Sequence, residues 1–169
     1  LSELLVSPAA SLYKKLRYEK QTVSELGFQE GAQGFESVDP RLLTIGAQLF
    51  KEKHAAKGKA YFDEVAQDIE AGVDELKAFS KQAGASELLG KVKSKYRYDF
   101  LAGLSSPAQI ASTFAWYYRF NRDPKAVETL LDSVQALEPS DVDAFAAKYF
   151  TPDNRAVLSL AYQPAKKGS

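Results

Sequence analysis

The chain contains no cysteine, no methionine and a single histidine. Without thiols it can form no disulfide, no thiolate nucleophile and no thiolate-bound metal, which leaves the bacterial periplasm and the cytoplasm equally open as compartments. Without methionine it has no start residue, and it opens inside an apolar run over residues 1–6 with no basic leader. It therefore reads as a segment excised from a longer protein. Charge of either sign is not in excess: lysine plus arginine number 22, and so do aspartate plus glutamate. A duplex nucleic-acid partner would ask for a basic surplus. Nor is there an apolar run near the ~20 residues that a membrane-crossing helix needs. What is present is a 45% hydrophobic content spread over 169 residues, enough for the core of one domain over residues 1–162. The piece at 163–169 reads as a polar tail.

Apolar spacing sets out the elements. Leu1, Leu4 and Leu5 read as the last turns of a helix that Ser7-Pro8 interrupts. Leu12 and Leu16 share one face of a second helix, opposite Lys14, Lys15 and Glu19. That helix hands over to a strand at 22–28 with Thr22, Ser24, Leu26 and Phe28 on one side. Gly27, Gly31 and Gly34 mark a flexible connection, and 41–50 reads as a central strand, apolar on both faces. A polar loop is expected at 51–59. A long helix follows at 60–79, burying Phe62, Val65, Ile69, Val73, Leu76 and Phe79. Ser86 would cap the next helix, near 87–104, with Leu89, Val92, Tyr96 and Phe100 inward. Ser106-Pro107, Asp123-Pro124 and Pro139-Ser140 each open a further helix. The apolar sets are Ile110, Phe114, Tyr117 and Tyr118; then Val127, Leu130, Leu131, Val134 and Leu137; then Val142, Phe145 and Tyr149. A turn at 151–154 leads to a closing strand at 155–162. Three strands and a run of helices predict an α+β domain in two layers, an antiparallel-type sheet packed by helices with a further helical array. So thin a sheet implies that an N-terminal part of the domain is missing.

Several stretches, in order, carry a resemblance. They are Leu4-Leu5-Val6-Ser7, Ser11-Leu12-Tyr13-Lys14-Lys15-Leu16-Arg17 with Glu19-Lys20, the turn Ser105-Ser106-Pro107, and Leu137-Glu138-Pro139-Ser140-Asp141-Val142. Ala147-Lys148-Tyr149-Phe150 and Pro152-Asp153-Asn154 close the series. Together they resemble the second, non-zinc domain of the pitrilysin/insulinase-type zinc metallopeptidases, a family that includes the mitochondrial processing peptidases. The resemblance implies a processing-peptidase-like fold and a parent protein that is a zinc metalloendopeptidase. It also implies a partner, the zinc-bearing domain of the same polypeptide or of another subunit, and a peptide substrate held between the two. In the family an inverted His-x-x-Glu-His helix binds zinc, the two histidines sharing the metal and the glutamate activating water. His54 is followed here by Ala55, Ala56, Lys57 and Gly58, so the chain cannot build that centre and no catalytic or metal-binding residue is expected in it.

The resemblance further implies substrate contact from an arginine and a tyrosine seven residues apart. Arg17 fills the first place, Ser24 stands in the second, and Gln21 occupies a position between them that is usually glycine. A guanidinium fork can donate to a peptide carbonyl, and a serine hydroxyl can do so at shorter reach. The competing reading of Arg17 is a helix-end cation on the dipole. His54 reads as an exposed residue of a lysine-rich loop. Lys91, Lys93, Lys95 and Arg97, alternating with Tyr96, Tyr98 and Phe100, read as the solvated side of a helix rather than a nucleic-acid surface. Trp116-Tyr117-Tyr118 reads as core before peptide groove, and Asp63, Glu64 and Asp68 as solvated carboxylates. Two functions remain: a non-catalytic domain forming a chamber wall against the zinc-bearing domain, or a degenerate, non-hydrolytic interaction module of the same fold.

Overall fold

In the computed structural model, residues 1–30 and 42–161 are described. They form a mostly helical α+β arrangement with a small antiparallel sheet. Helix α1 (Ser2–Leu5) buries Leu4 and Leu5 and ends where Ser7 Oγ donates back to the Glu3 carbonyl at 2.7 Å. Helix α2 (Ser11–Lys14) buries Leu12 and runs straight into a π-turn over Lys15–Glu19 that buries Leu16. Strand β1 (Val23–Glu30) pairs antiparallel with β2 (Leu43–Leu49), matching Leu26 with Ala47 and Phe28 with Ile45.

A bulge at Ser24 breaks that register between Val23 and Glu25. A bulge inserts one residue and flips the side-chain parity of the strand. Val23 and Leu26 therefore both reach the core, where simple alternation had placed Thr22, Ser24, Leu26 and Phe28 on one face. Gly27, expected in a flexible connection, lies within β1; Gly31 and Gly34 fall outside the described residues. Strand β2 alternates half-buried Leu43, Ile45, Ala47 and Leu49 with exposed Thr44, Gly46 and Gln48, so it has one wet face and is not a central strand here.

The loop expected at 51–59 is a helix, α3 (Lys51–Lys57). Its residues are good helix formers without an apolar stripe, and Gly58 stops it at φ 59°, ψ −139°, a conformation that suits glycine. Helix α4 (Lys59–Glu75) tightens into a 3₁₀ stretch over Leu76–Lys81. Its buried stripe is Tyr61, Val65, Asp68, Gly72, Leu76 and Phe79; Phe62, Ile69 and Val73 sit half-buried at the margin. The Tyr61 hydroxyl donates to the Thr22 carbonyl at 2.5 Å, so its one polar atom is satisfied, and burial pushes the phenol pKa up.

Helix α5 (Ala85–Ala102) starts from left-handed Gly84 rather than from a Ser86 cap. Helix α6 (Pro107–Asn121) begins as its signal demands, Ser106 Oγ accepting from the Gln109 amide. Helices α7 (Ala126–Ala136) and α8 (Pro139–Tyr149) follow, the latter closed by a reciprocal Glu138–Asp141 capping box. In α8 the buried pair is Val142 and Ala146; Phe145 and Tyr149 meet at the surface with their rings tilted by 42°.

The core joins Leu5, Leu12, Leu16, Val23, Leu26, Tyr61, Val65, Leu76, Phe79, Leu89 and Ala146. Each large apolar side chain buried there contributes on the order of 1.5–3 kcal/mol. Ser80 ties the end of α4 to α8, its amide donating to Asp143 at 2.8 Å and its hydroxyl donating to the same carboxylate. The strand expected at 155–162 is not formed: described residues 155–161 pair with no strand, and Leu158 and Leu160 are 84% and 82% exposed. Its apolar alternation is that of a strand, but among the described residues no strand pairs with it. Arg155 holds the start of this segment to α4 through Glu70 at 3.0 Å.

Candidate functional site

The π-turn sets the geometry around Arg17. Its widened ring closes where the Lys20 amide donates to the Lys15 carbonyl at 2.8 Å, and the Thr22 amide donates to the Leu16 carbonyl at 2.8 Å. Such turns hold one extra residue and recur where a helix must present side chains unusually. Two lysines flank the turn, and both grip one carboxylate on α4. Lys15 Nζ stands 3.0 Å from Asp68 Oδ1, and Lys20 Nζ 2.6 Å from Asp68 Oδ2. Asp68 is therefore no solvated carboxylate: it is buried, at 8% exposure. Burial by itself would raise its pKa, but the hydrogen bonds from Lys20 and Lys15 and their charges outweigh that and hold it below the usual value. The same bond raises Lys20.

Beyond the turn, Gln21 has φ 50°, in the left-handed region that non-glycine residues seldom occupy. Lys53 on α3 braces it, Nζ donating to the Gln21 carbonyl at 2.5 Å and to the Lys20 carbonyl at 3.4 Å. Arg17, Gln21, Phe50, Glu52 and Lys53 line an open cavity of about 370 Å³. Arg17 is half-buried and forms no hydrogen bond or ion pair among the described residues. Ser24 is not part of this lining; its hydroxyl donates to the Gln48 carbonyl at 3.1 Å, across the bulge. The chain thus brings Arg17 to a cavity with Lys53, and leaves Ser24 occupied in the sheet. Lys53 carried no signal in the sequence, because the helix that presents it has no buried face.

No family model matches the chain, and no curated protein does. Solved structures do match, two proteases among them. One is a protease from Helicobacter pylori, at TM-score 0.63 and 22% identity over 89% of this chain. The other is the inactive peptidase domain of an assigned zinc protease from Bordetella parapertussis, at TM-score 0.69 and 21% identity over 98% of this chain and 82% of that one. The chain has a peptidase-like fold. It spans 33% of the length of the Helicobacter protein.

The peptidase-like fold raises the question of zinc, and these side chains do not fit it. His54 sits on α3 with its ring edge-on to Phe62 at 4.9 Å, flanked by Lys53 and Lys57. Among the described residues no three His, Asp or Glu side chains converge as a metal-holding group. The α5 lysines are likewise engaged in structure. Lys91 pairs with Glu87, and Lys95 with Asp99 and Glu3. Lys93 Nζ donates to the carbonyls of Gln135 and Leu137 at 2.8 and 2.9 Å, closing the end of α7. Trp116 and Tyr117 are half-buried, and none of residues 107–120 of α6 is fully buried: Ile110, Phe114 and Tyr118 form an exposed stripe. No described helix is long and apolar enough to cross a membrane.

Proposed function

We propose that this chain is a non-catalytic domain of a zinc metallopeptidase of the pitrilysin/insulinase type, forming one wall of a peptide-binding chamber against a zinc-bearing domain. The observation that carries this reading is the likeness to an inactive peptidase domain over nearly the whole chain. A single histidine supplies no second imidazole for a hydrolytic centre, so zinc and the activated water belong to the partner domain. This chain's part is contact: Arg17 lines a cavity without an ion pair among the described residues, on a turn clamped by Asp68, where its fork can donate to a peptide carbonyl. Ser24, already donating within the sheet, takes a lesser share. The exposed Ile110, Phe114 and Tyr118 stripe offers an apolar face to the neighbouring domain.

Mixing this chain with the zinc-bearing portion of its parent tests the reading. Cleavage of a quenched fluorescent peptide is expected from the mixture and from neither piece alone. A folded chain that binds the other portion but restores no cleavage would support the non-hydrolytic interaction module instead.

A further inference from the structure

We infer that the cavity between the π-turn and α3 is a carboxylate subsite, selecting peptides that present an acidic side chain or a free C-terminus. The inference rests on the reading that this domain holds peptide, and it names which peptide. Three formal charges line the cavity, Arg17 and Lys53 against Glu52, leaving one positive charge over. Glu52 offsets one cation in net charge only: it is exposed and forms an ion pair with neither among the described residues. Arg17 is half-buried as a residue, and its side chain has no counter-ion among the described residues, so its donors are left for a ligand. Its planar fork fits a carboxylate with two parallel hydrogen bonds, a match a carbonyl cannot offer.

Lys53 is placed to help. An ammonium carries three donors, and the carbonyls of Gln21 and Lys20 take two. The third is left for a ligand oxygen. Phe50 supplies the apolar wall for the methylenes of a glutamate or a terminal residue, and Lys53 Nζ lies 5.7 Å from its ring. About 370 Å³ accommodates one side chain, near the small end for ligand sites, so the cavity reads one residue of a longer peptide. The cations are also held in advance of binding. Asp68 fixes both flanks of the turn bearing Arg17, and Lys53 is fixed to the backbone of Gln21.

Titration of the ¹⁵N-labelled chain with four small probes tests this by NMR. They are acetyl-Ala-Glu-amide, acetyl-Ala-Gln-amide, acetyl-Ala-Ala with a free carboxylate, and its amide. Saturable shifts of the Arg17 Nε–H and of the Gln21 and Lys53 amides are expected with at least one carboxylate probe and with neither neutral one. Whichever carboxylate binds tighter identifies the source. Arg17→Gln is expected to weaken binding about threefold to tenfold, and Glu52→Gln to strengthen it about threefold, as for partly exposed charge pairs. Arg17 forms no ion pair among the described residues, so an unchanged melting curve checks that the variant folds. Equal shifts from glutamate and glutamine probes overturn the inference, as does carboxylate binding that Arg17→Gln leaves intact. Carboxylate binding without restored cleavage sinks the chamber-wall reading alone; restored cleavage without carboxylate preference sinks this inference alone.

Discussion

Replacing Asp68 by asparagine would leave Lys15 and Lys20 facing an amide that bears no charge. The lysines are themselves well exposed, so the full penalty of a broken buried pair is screened, and a loss of about 1–2 kcal/mol is expected. The pH dependence has a definite sign. A lowered folded-state pKa means the Asp68 contribution is complete above the unfolded value of ~3.9 and is lost as pH falls through the folded one. Lys20, raised, contributes fully below its unfolded value of ~10.4 and loses that as pH rises through the folded one. Thermal melts of parent and Asp68→Asn should therefore differ by a constant amount through neutral pH and converge in acid. A gap that persists at pH 2.5 would mean the charge is not what stabilises. Gly72 makes a steric prediction. A Cβ there would lie 2.8 Å from Leu12 Cδ1, so Gly72→Ala should cost about 1–3 kcal/mol, partly recovered by adding Leu12→Ala. At Gln21 the change runs the other way: Gln21→Gly relieves a left-handed φ and should raise the unfolding free energy in urea by up to about 1 kcal/mol.

Among the elements, α3 is the one whose position matters most to the candidate site, because it carries both Lys53 and Glu52. Gly58 separates it from α4 in a conformation closed to other residues. Gly58→Ala should cost about 1–3 kcal/mol in urea denaturation and disturb the Lys53 bridge to Gln21, seen as altered Gln21 and Lys53 amide shifts. What could be read in advance follows from what each element leaves in the chain. Helices α6 to α8 were legible because Ser106-Pro107, Asp123-Pro124 and Pro139 punctuate them. Helix α3 was not, since periodicity reports only a buried face and this helix has none. The π-turn was hidden because Leu12 and Leu16 fit an ordinary helix equally well. Asp68 was hidden because the nearer in sequence of the two lysines that grip it, Lys20, lies 48 residues away, a distance no local pattern spans. Arg17 could be singled out through resemblance; that it stands beside Lys53 could not.

At the scale of the molecule, the exposed apolar residues include the α6 stripe and the segment at 155–161, where Val157, Leu158 and Leu160 are the most open run. An extended, unpaired apolar segment is a template for intermolecular strand pairing. Leu158→Lys with Leu160→Lys should raise solubility, and stability should stay within about 0.5 kcal/mol because neither side chain is packed. Unchanged solubility would show that the segment is covered in solution.

The widened turn at Lys15–Glu19 has one last consequence. It stores a surplus residue, so excising a single amino acid there would let an unbroken α-helix form. Everything downstream would then swing by about 100° around the axis and retract by about 1.5 Å. The deletion would leave a tidier helix and a dismantled subsite: Arg17 would face elsewhere, Lys15 and Lys20 could no longer share one carboxylate, and the strand that follows would arrive out of phase with its partner.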